Sequence, residues 1–168
     1  MALPKVGYPT YELELPSTGK TVKYRPFLVK EEKVLLMALE GKNEDHIISA
    51  VKDLIKNCVI SRIKVDTLPS FDLEYLFLKI RGASIGETIT LTVTCLDDNE
   101  TTVEANININ EVEVLKPEGH NKKIMFDDTT GIVMRYPSMK EFVDREFLQK
   151  EMKTEEVYGF IADSIDQI

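Results

Sequence analysis

Two cysteines, two histidines and two knots of carboxylates are the residues of this chain best equipped for chemistry. A zinc centre needs several ligands brought together, and meeting that count would take all four of Cys58, Cys95, His46 and His120. None of them stand at paired spacing, and Cys95-Leu96-Asp97-Asp98 lacks the second cysteine of a zinc knuckle. Cys58 falls on the apolar face of a predicted helix and Cys95 among inward strand residues, so both read as core cysteines. Calcium loops need oxygen ligands at alternate positions, a glycine and a distal glutamate. Neither Asp97-Asp98-Asn99-Glu100 nor Asp127-Asp128 has that order, and both sit where turns are predicted. Gly19-Lys20-Thr21 matches the end of a phosphate-binding loop. Glu14 stands where its first glycine is required, however, and the segment joins two predicted strands. There is no Gly-x-Ser-x-Gly. A general base needs a partner placed beside it. None can be named for His46, which precedes a helical stripe, or for His120 in the loop Pro117-Glu118-Gly119-His120-Asn121. No catalytic, cofactor-binding or metal-ligating residue is assigned.

The elements that would position these residues follow from hydrophobic period. Leu68 to Glu87 holds the central helix. Ser70 stands as its cap, Asp72 and Glu74 near its positive end, Lys79 and Arg81 near its negative end, and Gly82 as its stop. Leu73, Leu76, Phe77 and Ile80 share one face while Tyr75 and Leu78 make the other apolar, the pattern of a helix buried on both sides. Before it, Thr10–Leu15 and Thr21–Arg25 alternate around a turn cluster and predict a hairpin. Lys30–Glu40 and Glu44–Cys58 predict a pair of neighbouring helices, with a short strand near Ile63 and Val65.

After Gly82 the period becomes two. Ile89, Leu91, Val93 and Cys95, then Val103, Ala105, Ile107 and Ile109, alternate with threonine, asparagine and Glu104. This predicts a second hairpin whose apolar face packs on a helix or another sheet. Glu111–Leu115 is expected as a further strand, and Lys123–Phe126 with Ile132–Tyr136 as a third hairpin. Ser138-Met139-Lys140-Glu141 fits a capping box opening a helix with Phe142, Val143, Phe147 and Leu148. A last helix is expected from Thr154, with Val157, Phe160, Ile161, Ser164, Ile165 and Ile168 along one stripe. That stripe is still running at Ile168, so the chain is expected to be part of a longer one.

The 168 residues give room for one α+β domain, 1–168, with sub-structure at 1–82, 83–137 and 138–168. Several β-hairpins would pack with an N-terminal helical pair, the central buried helix and C-terminal helices. A formal net charge of −8 argues against nonspecific nucleic-acid binding. No apolar run approaches bilayer length, and no signal segment is evident. Cysteine usage fits a reducing setting.

Three stretches together carry a family likeness: Leu15–Lys33, Leu68–Arg81, and Pro117–His120 with Gly131–Pro137. In order and spacing the chain resembles the baseplate hub assembly proteins of T-even-type contractile-tailed bacteriophages, over nearly its whole length. Members of that family run on past the length seen here. The resemblance implies a non-enzymatic role, as chaperone or structural component, binding hub or spike subunits while the baseplate is built in the host cytoplasm. It brings no catalytic motif. Some members carry a Cys-x-x-Cys pair in the hairpin turn region, where this chain has Cys95 alone.

An assembly partner needs exposed apolar or edge-strand area. The residues expected to supply it are Tyr11, Tyr24 and Phe27 of the first hairpin and Phe160, Ile161 and Ile165 of the last stripe. Core packing is the competing use of all six. Two other functions stand beside the assembly role: a small metal- or nucleotide-dependent enzyme, and a generic cellular adaptor.

Overall fold

The alternation at the start of the chain becomes β1 (Tyr11–Glu14) and β2 (Thr21–Tyr24), antiparallel with Tyr11 opposite Tyr24. The computed structural model describes residues 7–139, 141 and 153–168. Val22 and Tyr24 face the core, while Glu12 and Lys23 pair at 3.0 Å on the wet side. Gly19 takes the positive φ of +69° that the turn demands. The Gly19-Lys20-Thr21 segment is therefore a hairpin turn.

α1 (Val29–Glu40) begins where Glu31 folds back. One carboxylate oxygen accepts from the Leu28 N–H at 2.8 Å and the other from the Arg25 guanidinium at 3.1 Å. Burial alone would raise the Glu31 pKa, but these donors outweigh it and hold it below the usual carboxylate value. α2 (Glu44–Cys58) is capped by Asn43, whose side chain accepts from the His46 N–H at 3.0 Å. Its Leu54, Ile55 and Cys58 meet Val22, Tyr24, Leu73, Leu76 and Ile80 in the core. Burial pushes the Cys58 thiol up to about 11.

α3 (Ser70–Ile85) is the expected central helix, with two corrections, at its cap and at its stop. Pro69 occupies the N-cap position and the Ser70 side chain makes no cap bond. Asp72 is fully buried, accepting from the Ser17 N–H at 3.0 Å and also from the Ser17 hydroxyl. It stands in the first turn of the helix, as expected, and also holds the first hairpin turn. Gly82 lies inside the helix, and Gly86, at φ +139°, follows its end. The strand expected near Ile63 and Val65 is a short 3-10 turn, Val65–Thr67.

β3 (Thr88–Thr94) and β4 (Thr102–Asn108) form the second hairpin, in register from Thr88 opposite Asn108 to Thr94 opposite Thr102. Its turn closes on Asp98, which accepts from the Glu100 and Thr101 N–H groups, each at 3.0 Å. The strand expected at Glu111–Leu115 is not found: Ile109–Glu111 is a 3-10 turn, followed by irregular backbone.

β5 (Lys123–Met125) and β6 (Gly131–Met134) form the third hairpin. α4 (Thr154–Asp163) stops earlier than its apolar stripe suggests, and β7 (Ile165–Gln167) pairs antiparallel with β6. Ser164 ends the helix: its hydroxyl donates to the Phe160 carbonyl at 2.8 Å, and its own carbonyl accepts from the Arg135 N–H at 2.8 Å. Ile165 is thus a strand residue, because the free edge of β6 offers a ladder. The capping box at Ser138 forms reciprocally, Ser138 N–H to Glu141 at 2.8 Å and Glu141 N–H to the Ser138 hydroxyl at 3.3 Å. The apolar residues expected after it, Phe142, Val143, Phe147 and Leu148, lie outside the described residues.

Two outcomes follow. Asp72→Ala strips Ser17 of both acceptors and should lower unfolding free energy by about 2–3 kcal/mol, against about 1 kcal/mol for Ser17→Ala, in urea unfolding followed by far-UV circular dichroism. Equal, near-zero effects would show that this bond does not hold the turn. Glu141 also receives both Arg135 guanidinium nitrogens, at 3.0 and 2.6 Å, and chiefly this holds its carboxyl at about 2, below the ordinary 4.5. A depressed folded-state pKa stabilises fully above the ordinary value, and that contribution is lost as pH falls through about 2. Glu141→Gln should therefore lower the urea midpoint at neutral pH, with the gap to the parent closing as pH approaches 2. A gap that is independent of pH would refute the linkage.

Candidate interaction surface

β3–β4 projects from the end of α3, and three contacts fix its base. Ile109 is buried against Gly82, where an added Cβ would lie 3.4 Å from the Ile109 Cγ2 atom. Lys79 donates from Nζ to the Ile109 carbonyl at 2.9 Å and reaches the carbonyls of Asn110 and Val112 at 3.3 and 3.4 Å. The Ile109 N–H donates to the Glu87 carbonyl at 2.7 Å, closing the ladder. Burial lowers the Lys79 pKa, partly offset by the nearby Glu113 carboxylate.

Register puts Ile89 opposite Ile107, Leu91 opposite Ala105 and Val93 opposite Val103, so six apolar side chains share one face. The expectation that this face packs on a helix or sheet is overturned. Leu91 is 44% exposed, Val93 50%, Val103 55% and Ile107 40%. The reason is geometric: Ile109 docks the base on α3, and the strands run on beyond the core. Completing the burial of one such half-exposed side chain is worth roughly 1 kcal/mol. A two-stranded hairpin is marginal alone, and a covering element would consolidate it.

The surroundings are acidic. From Gly82 to Leu115 the chain has seven carboxylates (Glu87, Asp97, Asp98, Glu100, Glu104, Glu111 and Glu113) and no Lys, Arg or His, which is −7 of the formal net −8. All seven residues are exposed. The Thr101 hydroxyl, with the Thr101 and Glu100 N–H groups, holds Asp98 down at about 2. The missing cations were legible in the sequence, a threonine-rich alternation with no basic residue in it; the uncovered face was not.

The residues expected at contact surfaces fall in two places. Tyr11 is exposed and stacks on Tyr24, with ring centroids 5.6 Å apart. Tyr24 is buried and Phe27 packs half-buried on the core. Phe160 and Ile165 are half-buried, and Ile161 is exposed. His120 meets Tyr136, Nε2 to hydroxyl at 2.7 Å, and Phe71 meets the Tyr136 ring edge-on at 4.9 Å. With Val114, Leu115, Lys116 and Pro117 they line a shallow cleft of about 250 Å³. Its contacts tie the Pro117–Asn121 loop to the end of the third hairpin. His46 is exposed, and its described bond is through the backbone. Among the described residues no group of three or more His, Cys, Asp or Glu is placed to hold a metal ion, and no helix is long and apolar enough to cross a membrane.

A model of the family described as T4 bacteriophage base plate protein matches residues 8–168. The chain belongs to that family. It is a phage baseplate protein with a structural or assembly role, and its partners are other baseplate proteins. No curated protein and no solved structure matches the chain significantly. For a baseplate protein, an apolar face left open on an anchored hairpin is a surface suited to contact with a neighbour.

Leu91→Thr combined with Val103→Thr should change the stability of the isolated protein by no more than about 1 kcal/mol, because both side chains already stand half in water. Urea unfolding measures it. A loss above about 2 kcal/mol would mean that the face is covered in the free protein.

Proposed function

We propose that this baseplate protein is a hub assembly factor. It binds hub or spike subunits while the baseplate forms in the host cytoplasm, as a chaperone or as a component that stays. Family membership supports the baseplate setting. The observation that carries the binding role is the apolar face of β3–β4, open at Leu91, Val93, Val103 and Ile107 and set on a base fixed by Lys79, Gly82 and Ile109. A rigid base lowers the ordering cost of docking, since the strands are already in place before a partner arrives. Tyr11 at the first hairpin, and Phe160, Ile161 and Ile165 near the third sheet, offer further contact area. The role asks for no catalytic residue, cofactor or metal.

Co-expression with each hub and spike subunit of the same phage, followed by size-exclusion chromatography with light scattering, tests this reading. A co-eluting complex of defined mass is expected. Phe160→Asp with Ile165→Asp asks whether the third sheet shares the interface: complex formation by a folded double variant would remove that surface. A folded chain that elutes alone beside every hub and spike subunit overturns the hub reading.

A further inference from the structure

Antiparallel ladders alternate between residues bonded to the partner strand and residues whose N–H and C=O point outward. The bonds from Cys95 N–H to the Thr101 carbonyl and from Ile109 N–H to the Glu87 carbonyl fix the parity here. Odd-numbered residues of β3 face β4. The backbone groups of Thr88, Thr90, Thr92 and Thr94 therefore line the outer edge. Among the described residues no strand pairs with that edge.

Proteins protect such edges with Lys, Pro, bulges or inward charges. β3, Thr-Ile-Thr-Leu-Thr-Val-Thr, has none of these, and its ladder with β4 runs without a register shift. β4 carries Glu104 on its polar face. The open edge is thus flanked by an exposed apolar face that a third strand would extend. The stretch of chain that carries it, Gly82 to Leu115, has seven exposed carboxylates and no cation of its own. None of the seven has an ion-pair partner within 4.0 Å among the described residues.

We propose that β3 is a strand-addition site for an extended segment of a partner protein in which apolar residues alternate with Lys or Arg. The partner's main chain would bond to Thr88, Thr90, Thr92 and Thr94. Its apolar side chains would continue the face of Ile89, Leu91 and Val93, and its cations would meet the acidic surround. This deepens the assembly reading and rests on it for the partner's setting, but not for the docking chemistry.

The test uses the full chain, isotope-labelled, and acetylated peptides as long as β3, seven residues. One alternates valine with lysine, a second alternates valine with glutamate, and a third is the lysine peptide methylated at every backbone nitrogen. The lysine peptide should shift the amide resonances of Thr88–Thr94 and slow exchange of the outward N–H groups. The glutamate peptide should leave them unmoved. The methylated peptide keeps charge and side chains but cannot complete a ladder, so it should bind about tenfold more weakly or less. Glu100→Lys with Glu104→Lys should weaken binding of the lysine peptide by about tenfold and flatten its salt dependence. Thr92→Pro should block addition, since it removes an outward N–H and no ladder bond. Equal binding of the methylated peptide, shifts that map away from β3, or no binding at all overturns the proposal.

The same variants separate the two readings. A hub or spike complex indifferent to Thr92→Pro and to Glu100→Lys with Glu104→Lys would sink the docking mode and leave the assembly role standing. A baseplate subunit outside the hub, captured by the parent and lost with Thr92→Pro, would do the reverse.

Discussion

Leu73, Leu76 and Ile80 are fully buried, and the rest of the molecule is arranged to keep them so. Each of three hairpins reaches α3 at a different point and through a different bond. The first turn is held by Asp72 and the exit from that hairpin by Ser84, whose hydroxyl accepts from the Phe27 N–H at 2.9 Å. The third hairpin arrives through Pro137, whose carbonyl accepts from the Ser70 N–H at 3.3 Å, and through Tyr136 against Phe71. The second is fastened by Gly82 and Lys79. A two-stranded hairpin is marginal by itself. Docking each on one helix lets a chain of this size carry three of them.

That arrangement explains which parts were legible in the sequence. Periodicity located α1, α2 and the strands of all three hairpins within a residue or two, because each has a local pattern of its own. At Asp72 and Gly82 of α3 a local rule was available, and it hid the distant contact each of them makes. Asp72 in a first turn looks like a dipole partner, and Gly82 after Lys79 and Arg81 looks like a stop. Their actual contacts, Ser17 and Ile109, are distant in the chain. The segment after Ser164 failed for a related reason: Ile165 continues a helical stripe and equally suits a strand. Only the position of β6 decides between them. The alternation of β3 and β4 was plain, but alternation reports which side chains share a face and not whether anything covers it.

The uncovered face and the acid around it belong to one design problem. An unguarded strand edge invites a second copy of the same chain. Here that hazard is met by charge at a distance and not by lysine or proline on the edge itself. Two copies meeting at β3 would bring two acidic stretches together, with no cation in either, and like charges repel across the roughly 8 Å screening length of physiological salt. A partner of opposite charge meets no such barrier. The same carboxylates that keep the edge from pairing with itself select what it pairs with, so specificity and solubility come from one set of side chains. This also accounts for the placement of nearly all the net charge in one stretch. Spread evenly over the surface, it would serve solubility but would neither guard β3 nor steer a basic segment to it.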